Sequence, residues 1–95
     1  MDIGEANIVL DQHLRELRAY PYSKLKRLVE RRIIQAPEIQ GSSGTTYYLE
    51  VQAFWDDRPQ GNVRIMVSID DGGRSALRPL TRGFIKAPDE SFIGE

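Results

Sequence analysis

The sequence predicts an α+β fold, with one or two N-terminal helices packed on an antiparallel meander of three to four strands. Three observations carry this. Apolar residues recur at helical spacing up to about residue 31. After the turn "GSSG", Gly41 to Gly44, the spacing changes to a period of two. Helices first and strands afterwards is the order of an α+β domain, whereas strands and helices in alternation would indicate a parallel sheet.

The first helix is expected over about Ala6 to Tyr20. Ala6, Leu10, Leu14 and Leu17 form its apolar stripe, with Asp11, Gln12, Arg15 and Glu16 between them. Asp2 and Glu5 stand at capping-box spacing, and Asp11 is a later candidate start. Pro21 removes a backbone donor and restricts Tyr20, so the helix should stop or kink there. Ser23 is a candidate cap for a second helix in which Leu25, Leu28, Val29 and Ile33 share a face. This piece reads as helix to about Arg31 and strand afterwards. Pro37 confines an extended segment from Ile33 to Gln40 to an edge or a bulged strand.

Beyond Gly44, Tyr47, Leu49, Val51, Ala53 and Trp55 alternate with Tyr48, Glu50, Gln52 and Phe54. Val63, Ile65, Val67 and Ile69 alternate with Arg64, Met66 and Ser68 in the same way. Both apolar faces are odd-numbered. Directly paired residues share a face, so the two runs pair as a hairpin with an odd-length connection, Trp55 facing Gly61 or Val63. A weaker third strand is expected from Arg74 to about Leu80. The segment 83–95, with Phe84, Ile85, Phe92 and Ile93 among turn residues, reads as a partly docked or flexible tail. The whole chain, 1–95, has the length of a single domain.

Two Asp-Asp pairs flank the second strand, Asp56-Asp57 and Asp70-Asp71. Paired carboxylates can bind a metal or share acid–base work. Here the hairpin separates them by roughly 25–30 Å, at ~3.4 Å per residue. They cannot form one site within one chain. Asp71-Gly72 is a hairpin-turn signal, and Asp56 or Asp57 suits an Asx-turn ahead of Pro59.

Other chemistries are narrowed by composition. Without cysteine there is no thiolate or disulfide chemistry, and the one histidine, His13, cannot build a His-rich zinc site. His13 borders the apolar stripe, where a packing role is expected; no spacing selects partners for it as a general base. No GxxxxGK[ST] or GxGxxG loop is present, so no nucleotide cofactor is expected. Catalytic residues, a metal site and a cofactor are therefore all expected to be absent. No apolar run approaches the ~20 residues that span a bilayer. "MDIGEANIVL" carries acidic residues where a signal peptide is basic, so a cytoplasmic location is expected.

Net charge is −1, unevenly spread. Arg15, Arg18, Lys24, Lys26, Arg27, Arg31 and Arg32 are opposed in their window only by Glu16 and Glu30, which leaves that window at +5 and the remainder at −6. Such a cluster is the footprint of a nucleic-acid or acidic-partner surface, with Tyr20 and Tyr22 as candidate stacking residues, or of a solvated face complementing acidic loops. The even-numbered sheet face is the other candidate. Tyr48, Phe54, Arg64 and Met66 make it too apolar for a face meeting only water. Covering by the tail, a partner surface and a shallow cleft are the three accounts, with a homodimer the simplest. A pocket between helix and sheet near His13, Trp55 and Tyr47 is a third option, for a small ligand.

The run "SGTTYYLEVQAFWDD", with "VSIDDGG" and "PLTRGFIKAP" after it, resembles a family of small uncharacterised bacterial proteins over the second half of the chain. The resemblance implies an intracellular bacterial protein and carries no activity and no site residue. A helix on an antiparallel sheet is also similar in outline to cystatin-like folds. The Gln-Val-Val-Ala-Gly type loop of those inhibitors is missing, so protease inhibition is not implied.

Overall fold

Asp2 starts the first helix. Its carboxylate accepts the backbone N–H of Glu5 at 3.0 Å, and α1 runs Ile3–Arg18, starting three residues before the expected Ala6 and ending two before the expected Tyr20. The structure, a computed structural model, describes residues 1–73 and 80–95. The capping box is only half made, because the Glu5 side chain does not return to Asp2 and instead reaches Ser42, Ser43 and Tyr47. The chain breaks at Pro21 and restarts as α2, Tyr22–Glu30.

Ser23 does not cap α2. Pro21 occupies the cap position and offers no side-chain acceptor. The first N–H of the helix, that of Tyr22, is instead taken by the Glu90 carboxylate at 2.9 Å. At the other end the N–H of Arg32 reaches Val29 O and that of Ile33 reaches Leu28 O. This is a Schellman cap whose left-handed position, φ 52°, is held by Arg32 where glycine is favoured. Ile33 therefore lies past the helix rather than on its buried face.

The sheet is a four-stranded antiparallel meander in chain order: β1 Glu38–Gln40, β2 Thr46–Trp55, β3 Val63–Asp70 and β4 Leu80–Lys86. β1 is an edge strand, as Pro37 requires: Pro37 O accepts Leu49 N, and its missing N–H leaves one rung of the ladder unmade. Trp55 pairs with Val63, so all of residues 56–62 form the connection. The odd-numbered residues of β2 and β3 face inward as their period demands, Tyr47, Leu49, Val51, Val63, Ile65, Val67 and Ile69 being buried. They meet Ala6, Val9, Leu10, Leu14 and Leu17 of α1 and Tyr22, Leu25 and Leu28 of α2. Both helices pack on this one face.

The strand expected over Arg74 to about Leu80 lies, except for Leu80, outside the described residues. The strand paired with β3 is Leu80–Lys86, within what composition marks as tail from Gly83. A two-residue turn at Asp71-Gly72 would pair Asp70 with Gly73. The observed partner of Ile69 is Leu80 and β3 ends at Asp70, so the connection between the two strands spans residues 71–79. Asp71-Gly72 opens that connection rather than closing a tight hairpin; only Gly72 has positive φ, where a type I′ turn needs two.

The C-terminal segment runs along the outer edge of β4. Phe92 bridges to Lys86, and Ile93 N donates to Ile85 O. Phe92 meets Phe84 edge-on at 5.8 Å, the Arg18 guanidinium lies 3.8 Å from the Phe92 ring centre, and Glu95 grips Arg18 through two hydrogen bonds of 2.6 and 2.7 Å. Lys86 points inward beneath the end of α1. Only 5% exposed, its ammonium donates to the carbonyls of Tyr20 (2.7 Å) and Arg18 (3.1 Å), the negative end of the helix.

Candidate functional site

The outer face of the sheet can be described as rows across the strands. Glu38, Tyr48 and Asp70 form one row; Glu50, Ser68 and Thr81 the next; then Gln52, Met66 and Gly83; then Phe54, Arg64 and Ile85. Both helices pack on the opposite face, and the C-terminal Ile93, Gly94 and Glu95 border this one, sharing a shallow depression with Arg64, Met66 and Ile85. Tyr48 is 43% exposed and Phe54 46%. Met66 is half-buried, and Arg64 is exposed with its guanidinium on Asp56 at 2.7 Å. The four residues singled out from the alternation therefore do share one face, with Tyr48 about 20 Å along the strand from Phe54, at ~3.4 Å per residue.

Phe54 also belongs to a second feature that periodicity did not show. Ile33 (38% exposed) and Ile34 (61%) follow the Schellman cap and stand beside it. With Leu28, Val29 and Ala53 they line an apolar groove of about 250 Å³, and Arg32 supplies its cation. The signal in the sequence was the adjacent pair Ile33-Ile34. Neighbouring residues on an extended chain point to opposite sides, so one of the two had to face away from the core.

The basic residues differ in their surroundings. Arg18 is committed to Glu95 and Phe92. Lys26 is half-buried. Arg15, Lys24, Arg27, Arg31 and Arg32 are exposed, and none has a carboxylate or hydrogen-bond partner among the described residues; Lys24 lies 3.7 Å from the Tyr20 ring centre. Tyr22 is unavailable for stacking on a base. It is buried, and its hydroxyl donates to Gly61 O at 2.6 Å, which ties the connection after β2 to the start of α2.

Tyr47, Trp55 and His13 do not converge. Tyr47 lies opposite Ile39, at the end of β2 nearest Glu5, while Trp55 ends the strand roughly 27 Å away at ~3.4 Å per residue. Nδ1 of His13 is 3.6 Å from Glu16, and its Nε2 is buried without a hydrogen-bond partner among the described residues. Three of the four paired Asp carboxylates accept backbone N–H groups, while that of Asp56 holds Arg64. Asp57 accepts the N–H groups of Asn62 and Arg58, which hold its carboxyl below the usual carboxylate value, the Asn62 bond contributing most. Asp70 and Asp71 accept the N–H groups of Gly72 and Gly73. Among the described residues no three His, Cys, Asp or Glu side chains gather as a metal site, and no helix is long and apolar enough to cross a membrane.

Comparisons with protein-family models, with curated proteins and with solved structures find no match to this chain.

Proposed function

We propose that the protein is a non-enzymatic interaction module of the cytoplasm that pairs with a second copy of itself through the outer sheet face. The observation that supports this is the pair of half-exposed aromatics, Tyr48 and Phe54, on the sheet face opposite the helices. Sheets stack about 10 Å apart with their strands nearly aligned. A two-fold axis near Val51 would lay the row of Tyr48 in one copy over the row of Phe54 in the other. That arrangement buries both aromatics twice. It also keeps Glu38 and Asp70 away from their own counterparts and turns them toward the row carrying Arg64.

Sedimentation velocity is the test. A dimer at micromolar concentration is expected, and Tyr48→Lys and Phe54→Lys should each shift it to monomer with little change in thermal stability, because both side chains lie outside the core. A wild-type monomer at high micromolar concentration would sink the reading.

The second reading is binding of nucleic acid or an acidic partner through the basic segment. It is favoured by five exposed cations that have no carboxylate or hydrogen-bond partner among the described residues, and retention on heparin that falls with salt is its expected signature.

A further inference from the structure

Beyond Val51 the side of β2 away from β3 has no partner strand among the described residues. Gln35 exchanges both ladder hydrogen bonds with Val51, at 2.8 and 3.3 Å, and the chain before it turns away into the cap of α2. Backbone groups of an antiparallel strand point alternately to its two sides. In β2 the even-numbered residues bond toward β3, and the bonds of Leu49 and Val51 go to Pro37 and Gln35. Ala53 and Trp55 thus direct their N–H and C=O groups at the open side, where neither has a backbone partner among the described residues.

The apolar groove lies against this edge. At about 250 Å³ it falls below the roughly 300–1,000 Å³ of sites for drug-sized ligands, and matches a side chain better than a small molecule. An unpaired strand edge beside a side-chain pocket is the geometry of strand addition. Charge selects the partner. The last turn and cap of α2 carry Arg27, Arg31 and Arg32 against one carboxylate, Glu30. A second copy added across the same edge would bring the two arginine sets together. An acidic chain would meet them with opposite charge.

We infer that the edge of β2 at Ala53 and Trp55 takes an extended acidic peptide of another protein as an added strand, with one apolar side chain in the groove and a carboxylate on Arg32. This rests on the second reading above, narrowed to one edge and one class of partner. It shares Phe54 with the homodimer but does not use Tyr48, so Tyr48→Lys, which should remove the dimer, leaves the edge and its groove intact.

The probe is a capped peptide, Glu-Val-Glu-Leu-Glu-Val, titrated into ¹⁵N-labelled protein. Saturable shifts are expected at residues 32–34 and 52–55, with slowed hydrogen exchange at the Ala53 amide. Arg32→Gly keeps the left-handed cap, so it should raise thermal stability while weakening the peptide about tenfold through loss of the charge-assisted bond. Replacing every Glu of the peptide by Lys should abolish binding. The inference is overturned by absence of shifts at millimolar peptide, by equal binding of the Lys peptide, by full affinity in Arg32→Gly, or by equal shifts from a single-stranded oligonucleotide. Heparin retention without peptide shifts overturns strand addition alone; no retention at low salt removes the broader reading as well.

Discussion

The hydroxyl of Tyr47 donates a 2.8 Å hydrogen bond to the carboxylate of Glu5, joining the start of α1 to the inner face of β2. The same carboxylate accepts the Ser43 hydroxyl at 2.7 Å and the Ser43 N–H at 2.9 Å. These bonds, those from Ser43 and then Tyr47 foremost, hold the Glu5 carboxyl below its usual value. The tyrosine moves the other way. Burial first, and then the Glu5 bond, push the Tyr47 hydroxyl up to about 12. For Glu5 the folded state binds its proton less tightly than the unfolded chain. Its stabilisation is therefore complete above the ordinary carboxylate value and is lost as pH falls through the lowered one. For Tyr47 the stabilisation is complete below about pH 10 and is lost as pH rises toward 12. Tyrosinate absorbance should show a late step that Tyr47→Phe removes, and Glu5→Gln should flatten the acid limb of a urea-midpoint profile. An unchanged acid limb in Glu5→Gln would show that the carboxylate has no such role.

Glu90 is a cap supplied from far along the chain. Its carboxylate takes the Tyr22 N–H, at the helix end where the macrodipole favours negative charge. Glu90→Ala should cost about 1 kcal/mol of unfolding free energy, the typical value of a helix cap. Glu90→Gln, which keeps an acceptor, should lose less. Urea denaturation with circular dichroism at the helix band measures both; equal loss in the two variants would contradict the cap.

Lys86 should be the costliest polar side chain to truncate. Lys86→Met preserves the stem but leaves the Arg18 and Tyr20 carbonyls without their buried donor. A loss of about 2–3 kcal/mol is expected for hydrogen bonds to a charged group. Exposed Lys24→Met provides the control and should change stability by less than about 0.5 kcal/mol. Comparable losses in the two variants would mean that Lys86 does not close the end of α1.

Gly83 has no room for a side chain. A Cβ there would stand 2.1 Å from Ile65 O and 2.7 Å from Met66 Sδ. The sulfur can swing aside, but the carbonyl belongs to the neighbouring strand. Gly83→Ala should cost about 3 kcal/mol, the upper end of overpacking. Loss of amide protection should concentrate between β3 and β4, as hydrogen exchange would read directly. Thermal stability within a degree of the parent would show that the strands separate freely.

Much of this architecture was legible because it is local. Asp2 stands three residues before the amide it caps. The faces of β2 and β3 follow from Cβ alternation, and requiring both odd faces to meet left Gly61 or Val63 opposite Trp55, of which the structure has Val63. The even-numbered face came out as Tyr48, Phe54, Arg64 and Met66 for the same reason. The β4 register did not, because "LTRGFIK" breaks the alternation: Arg82 reaches across to Asp11 and Asn7 of α1, and Lys86 is buried through its contacts with helix carbonyls. Neither charged residue looks inward-facing until the helix is beside it.

Spacing alone settled the first helix, the change of period after Gly44 and the inner and outer faces of the central hairpin, and it marked the Asp pairs as turn residues. Each depends on residues within one element or one connection, where spacing alone sets geometry. Only the tertiary structure decided that Glu90 caps α2, that Glu95 holds Arg18, and that β2 ends with an open edge beside Ile33 and Ile34. Glu90 and Tyr22 are 68 residues apart, and Arg18 and Glu95 are 77 apart. No local pattern encodes such pairs, because their energy exists only once the sheet has brought the two ends of the chain together.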